Sequence, residues 1–171
     1  MRVCLGGTFE FLHCGHQKLL RRAFEIGEYI YIGLTTDKFA TRKGRKITPF
    51  EARRAGLARF IAEELPPKRW EIAPLEDRFG PTVDGDFQAI AVSPGTEPGA
   101  REINRLRRES GFPELEVVVV PWALAQDGQP ISSRRIAAGE IDPEGKLLAP
   151  AKAPAKSKRA AAACRPDTSA V

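Results

Sequence analysis

Short runs of apolar residues alternate along the chain with longer stretches in which apolar positions recur every three or four residues. Such alternation predicts parallel strands with helices packed on the faces of one sheet. Arg2 to Leu5 reads as the first strand. Gly15 to Ile26 follows with Leu19, Leu20, Ala23 and Phe24 at helical spacing, and Gly27 is placed to end it. Tyr29 to Leu34 is the second strand. Thr48 stands as a helix cap with Pro49 in the first helical position and Glu51 three residues on, the pattern of a capping box, and Leu57, Ala58, Ile61 and Leu65 continue the helix. Trp70 to Ala73, Ala89 to Val92 and Leu115 to Val120 are expected to be further buried strands, with a helix from about Gly99 to Ser110 between the last two. Ile131 to Ile136 opens a short helix stopped by Gly139, and no internal repeat is visible.

The expected fold is therefore α/β, a Rossmann-like doubly wound parallel sheet of about five strands. With 171 residues, 42% of them hydrophobic, the chain can bury one substantial core, and residues 1–149 are expected to form one domain. From Pro150 the composition turns to Ala, Lys and Pro, with no large apolar residue before Val171. Such a segment cannot offset its own ordering entropy, so residues 150–171 are expected to be a disordered tail. The tail carries Lys152, Lys156, Lys158, Arg159 and Arg165 against Asp167, a surplus of four within the formal net charge of +5. The body is left at +1. A duplex-binding domain would carry its positive charge on the folded body, so nucleic acid is not the expected partner. The alternative outside enzymes is a basic module that uses the tail and the helix around Arg105 to Arg108 to hold RNA or an acidic protein.

Cys4, Cys14 and Cys164 form an odd set without C-x-x-C spacing, which fits a reducing compartment better than a disulfide framework. No stretch approaches the roughly 18 continuous apolar residues of a membrane span, and Met1 leads into a strand-like run where a signal peptide would stand. The expected location is cytoplasmic, with no membrane association.

The chemistry gathers at the end of the first strand. Gly6-Gly7-Thr8-Phe9 forms a turn whose backbone can approach a ligand closely, and His13-Cys14-Gly15-His16 opens the first helix, where unpaired amides attract phosphate oxygens. Two histidines three residues apart can face one bound group and donate to charge developing on a phosphoryl centre. They could instead be half of a zinc site, but the chain has no other histidine and only Cys14 lies close. Cys14 could suggest a nucleophile, yet nothing nearby except those histidines is arranged as its base. Late in the chain, Ser132 and Ser133 begin the last short helix, where serines cap helices or bind phosphate. Ligands of open α/β sheets lie outside the carboxyl ends of the strands, which favours the second role.

These motifs together resemble the HxGH nucleotidyltransferase superfamily. The order G-G-T-F-E-x-L-H-x-G-H, then G-L-T-T-D from Gly33, P-F-E-A-R from Pro49, S-P-G-T-E-P-G-A from Ser93, Ile103-Asn104 with Arg107, and G-E-I-D from Gly139 resembles the archaeal-type phosphopantetheine adenylyltransferases across residues 1–145. The resemblance implies adenylyl transfer from ATP to 4′-phosphopantetheine, giving dephospho-coenzyme A and pyrophosphate, with Mg2+ accompanying ATP and no metal ligand from the protein. It implies that Gly7, Thr8 and the Phe9 amide lie at the nucleotide and acceptor phosphates and that His16 stabilises the transferring group. His13 would contact the nucleotide phosphates, and Ser132 and Ser133 would hold the β- and γ-phosphates. Lys46, with Lys43 and Arg45 as competitors, and Arg107 would bind the acceptor phosphate; a solvated basic loop and an exposed helical arginine are the plain alternatives. Arg134, Ala137 and Gly95 stand where the family usually has Ser or Thr, Arg, and Glu, so the triphosphate clamp is expected to differ in detail. Another phosphorylated acceptor is the rival within the superfamily. Against a cytidylyl enzyme, Asp127-Gly128-Gln129-Pro130-Ile131-Ser132-Ser133 stands where R-T-x-G-I-S-T is usual.

Overall fold

The computed structural model describes residues 1–41 and 46–148. The expected tail from Pro150, Cys164 within it, and Lys43 and Arg45 all lie outside the described residues. In chain order the elements are β1 (Arg2–Gly7), α1 (Cys14–Ile26), β2 (Tyr29–Thr35), α2 (Asp37–Ala40), α3 (Phe50–Glu64), β3 (Arg69–Leu75), β4 (Ala89–Val92), α4 (Glu97–Glu109), β5 (Glu116–Val119) and α5 (Ser133–Ala137). The strands form one sheet in the order β3-β2-β1-β4-β5, and every pairing is parallel. The chain thus runs outward from β1 to one edge, returns to the centre, and runs outward to the other. That reversal puts a topological switch point between β1 and β4, where doubly wound folds open a ligand crevice.

Alternating side chains of the central strands feed two cores. Val3 and Leu5 of β1, Ile30, Ile32 and Leu34 of β2, and Ala89 and Ala91 of β4 pack with Leu20, Ala23 and Phe24 of α1 and Leu57 and Ile61 of α3. Cys4, Tyr31, Ile90 and Val92 face the other way and pack with Ala100 and Ile103 of α4. Both faces are covered, which is why β1, β2 and β4 read as continuous apolar runs. Each large apolar side chain taken fully from water contributes roughly 1.5–3 kcal/mol. A smaller third cluster of Ala123, Ala125, Ile131 and Ile141 packs beneath α5, with Cys14 and Ile136 against it.

Three expectations are corrected. The runs around Trp70 and Val117 are strands but not buried ones: β3 and β5 are the sheet edges, paired on one side only, and Trp70 and Val119 remain exposed. An edge also accommodates Pro74, whose missing N–H needs no neighbour there, so β3 runs through it to Leu75. Thr48 does not cap α3; the cap position is Pro49, no side chain caps the helix, and the Thr48 hydroxyl donates to Glu10 instead. The stop after α5 is as expected, because Gly139 adopts a φ of 71°, which favours glycine.

Candidate active site

Past the end of β1 the backbone is bent sharply. Phe9, Phe11 and Leu12 hold φ values of 50°, 62° and 39°, a conformation that costs L residues roughly 1–3 kcal/mol each. The turn brings Phe9 under His16, with ring centroids 5.1 Å apart. It also delivers His13 to the start of α1, where its ring stacks on His16 at 3.8 Å and 18°. The spacing of the motif has a steric cause. A Cβ at Gly15 would lie 3.1 Å from His13 Cε1 and 3.2 Å from Nδ1, so any larger residue would press the stacked ring to shift by a few tenths of an ångström.

Both imidazoles are held neutral. Desolvation lowers the His13 pKa to about 4, and desolvation, with a smaller contribution from His13, lowers that of His16 to about 3. His13 Nδ1 and His16 Nδ1 are buried without a hydrogen-bond partner.

A cleft of about 660 Å3 opens at the switch point. Gly6, Gly7, Thr8, Phe9, His13 and His16 line it together with Ile131, Ser132 and Ser133. The two regions are tied directly: the Ser133 hydroxyl donates to the Glu10 carbonyl at 3.0 Å, across 123 residues of sequence. Ser132 is the cap of α5 and accepts from the Arg135 amide at 3.4 Å. The Pro143 carbonyl accepts from the Cys14 amide at 3.1 Å, so the last described segment braces the first turn of α1. Arg135 in turn holds α5 to the preceding turn through Asp127 and to Glu140.

Of the residues singled out by sequence, Gly7, Thr8, Phe9, His13, His16, Ser132 and Ser133 line this one cleft. Lys46 is exposed, next to Ile47, which also lines it. Arg134 is exposed on α5 and Gly95 stands before α4, with Ala137 at the far end of α5. Arg107 is a correction. It is 2% exposed, neither a phosphate ligand in the cleft nor a solvated helical arginine. Its guanidinium donates to the carbonyls of Pro113 at 2.6 Å, Thr82 at 2.8 Å and Gly85 at 3.0 Å, so it serves to satisfy buried backbone. Cys14 packs against the third cluster as a spacer between the histidines.

Glu10, Thr35, Phe39, Ser93, Thr96 and Trp122 also line the cleft and were not singled out as site residues. A signal existed for some: Thr35 ends β2 and Ser93 follows β4, both at strand carboxyl ends. Trp122 follows β5 on an irregular segment whose course leaves no periodic trace. Among the described residues, no three His, Cys, Asp or Glu side chains gather to hold a metal ion, and no helix is long and apolar enough to cross a membrane.

Comparison with known proteins gives the geometry its context. Residues 4–139 match a family model described as cytidylyltransferase-like. A phosphopantetheine adenylyltransferase from Methanopyrus kandleri is 51% identical over 143 residues, covering 82% of this chain and 90% of that protein. One from Methanosarcina acetivorans is 48% identical over 149 residues, covering 85% and 95%. A crystal structure of a protein of unknown function from Archaeoglobus fulgidus matches with a TM-score of 0.66 at 38% identity, covering 70% of this chain and 89% of that one. Identity at this level across nearly the whole described domain, with the motif residues in one cleft, establishes that the chain belongs to the phosphopantetheine adenylyltransferase family of cytidylyltransferase-like proteins.

Proposed function

We infer that this chain transfers the adenylyl group of ATP to 4′-phosphopantetheine, releasing pyrophosphate and forming dephospho-coenzyme A. The observation that carries the reading is the convergence of the stacked histidine pair and the late serines on one cleft, in a chain about half identical to phosphopantetheine adenylyltransferases. A phosphate oxygen of the acceptor attacks the α-phosphorus of ATP, the bond from that phosphorus to the bridging oxygen breaks, and pyrophosphate leaves. No protein nucleophile is needed, only alignment and neutralisation of charge.

In this reading the Gly7, Thr8 and Phe9 backbone receives the α-phosphate, and the Thr8 hydroxyl, which accepts from Thr35 at 3.1 Å, keeps its own proton for a phosphate oxygen. His13 and His16 act as neutral donors. A proton on Nδ1 would be buried without an acceptor, so the favoured tautomer carries it on Nε2 and leaves the buried nitrogen as a bare lone pair. His16 stabilises charge that grows as the pentacoordinate phosphorus forms, and His13 supports the nucleotide phosphates. Ser132 donates to the β- and γ-phosphates, while Ser133 keeps its wall in place until it exchanges the Glu10 carbonyl for phosphate oxygen. Lys46 meets the acceptor phosphate. Mg2+ would accompany ATP in this reading and would supply neutralisation of the phosphate charge. Residues 1–149 constitute the catalytic domain in this reading, and the remainder is dispensable.

The test mixes the protein with Mg2+, ATP or CTP, and a panel of phosphorylated acceptors, and follows pyrophosphate release. Turnover with ATP and 4′-phosphopantetheine is expected to exceed every other pair. Turnover of another acceptor with none of phosphopantetheine would overturn the substrate assignment while leaving the reaction class.

A further inference from the structure

Three stretches of the chain that carry the family likeness join in one network beside the cleft: Glu10 and Arg53 both bond Thr48, and Arg53 also bonds Thr35 and Asp37. Glu10 lines a cleft proposed to receive polyanions, and it is only 7% exposed. A carboxylate aimed at a triphosphate would oppose binding. Its oxygens are instead turned onto Thr48: Oε1 accepts from Thr48 Oγ1 at 2.6 Å, and both oxygens accept from the Thr48 amide at 3.1 Å. The remaining polar group of Thr48, its carbonyl, accepts from Arg53 Nε at 2.7 Å.

Arg53 is itself fixed on every other side. Its side chain is 1% exposed; Nη1 donates to the Thr8 carbonyl at 2.9 Å, and Nη2 donates to the Thr35 carbonyl at 2.9 Å and Asp37 Oδ1 at 2.7 Å. Thr48 is therefore bolted to the ends of β1 and β2 through two charged side chains. Its neighbour Ile47 lines the cleft, and Lys46 lies two residues from the anchor. Two residues of extended chain span at most roughly 7 Å, so the anchor bounds where the Lys46 backbone can stand.

We propose that Glu10 and Arg53 are positioning residues that hold Thr48 and thereby set Ile47 and Lys46 at the acceptor side of the cleft. The charge of Arg53 is consumed by this framework and does not face substrate. The assignment of Lys46 to the acceptor phosphate rests on the functional reading above; the anchoring of Thr48 does not.

The experiment compares Glu10→Gln, Thr48→Val and Thr48→Ser with the full chain, at temperatures well below each variant's melting point. Trypsin cleavage after Lys46 is followed by mass spectrometry, and KM is measured separately for ATP and phosphopantetheine. Glu10→Gln and Thr48→Val are expected to speed cleavage several-fold and to raise the acceptor KM about tenfold, the scale of one lost charge-assisted hydrogen bond, with the ATP KM within about twofold. Thr48→Ser restores the hydroxyl and should match the parent in both. In a Lys46→Ala background, Glu10→Gln should add little to the acceptor KM. Unchanged cleavage in Glu10→Gln and Thr48→Val, or equal rises in both KM values, would overturn the proposal. A Lys46→Ala variant with parental acceptor KM would remove Lys46 from the functional reading and leave cleavage to decide the anchoring.

Discussion

The stacked histidines make the domain sensitive to acid in a way that can be calculated. In the folded chain His13 titrates at about 4 and His16 at about 3, whereas an unfolded histidine titrates near 6.5. Folded pKa values below the unfolded one mean that the unfolded chain binds more protons between these limits. The stability contributed by the neutral pair is fully present above pH 6.5 and is lost as pH falls from 6.5 toward 3. At pH 4.5, two units below the unfolded value, each ring forfeits up to about 2.7 kcal/mol, or about 5 kcal/mol for the pair. That is a large share of the roughly 5–15 kcal/mol that holds a domain together. Urea denaturation at pH 7.5 and 4.5 of the parent and of the His13→Gln/His16→Gln variant isolates the effect, because carboxylates titrate alike in both. The parent should lose about 4–5 kcal/mol more than the variant over that interval. Equal losses would refute the argument, as would imidazole NMR shifts that titrate near pH 6.5; with two histidines in the chain, assignment of those signals is straightforward.

Three further outcomes follow from named contacts. Gly15→Ala adds a methyl 3.1 Å from the His13 ring. Helix propensity favours Ala there by less than the roughly 1 kcal/mol of a helix interior, since Gly15 lies in the first turn of α1, and offsets part of the crowding, so thermal unfolding should shift little while kcat falls tenfold or more; unaffected turnover would show that the ring has room to move. Arg107→Met removes the donor to four buried or part-buried carbonyls and should cost about 3 kcal/mol or more in urea denaturation, with both KM values within about twofold. A selective rise in acceptor KM would restore Arg107 to the site. A chain ending at residue 149 should keep the melting temperature and turnover of the full chain, and a loss of either would give the basic tail a role in the enzyme.

What could be read from sequence tracks how local its physics is. Apolar runs such as Ala89 to Val92 are buried on both faces and announce a central strand, whereas Trp70 to Ala73 carries a similar signal on an edge. Nothing in either run states which strands will flank it, so order and burial escaped. The glycine turn, the H-x-G-H spacing and the late serines were legible because backbone freedom and helix starts impose them within a few residues. Arg107 was not, because its partners Thr82 and Gly85 lie more than 20 positions away and reach it only in the folded chain. Thr48 looked like a helix cap for the same reason: the residue that binds its hydroxyl, Glu10, lies 38 positions away.

The turn from Phe9 to Leu12 shows why the site belongs to the whole domain and not to its motifs. Three L residues in the left-handed region together cost several kcal/mol, which a short loop cannot recover from its own contacts. The recovery comes from distant parts of the fold. Phe9 is 3% exposed within the main core, the Glu10 side chain is held by Thr48, and the Glu10 carbonyl is met by Ser133. Removing the Ser133 bond alone costs about 1 kcal/mol, the net worth of a typical hydrogen bond, within the strained turn. The strained turn is therefore held jointly by the main core, by Thr48 and by α5. The last helix of the domain does not merely add serines to the pocket: through Ser133 it also bonds the turn that sets His13 against His16.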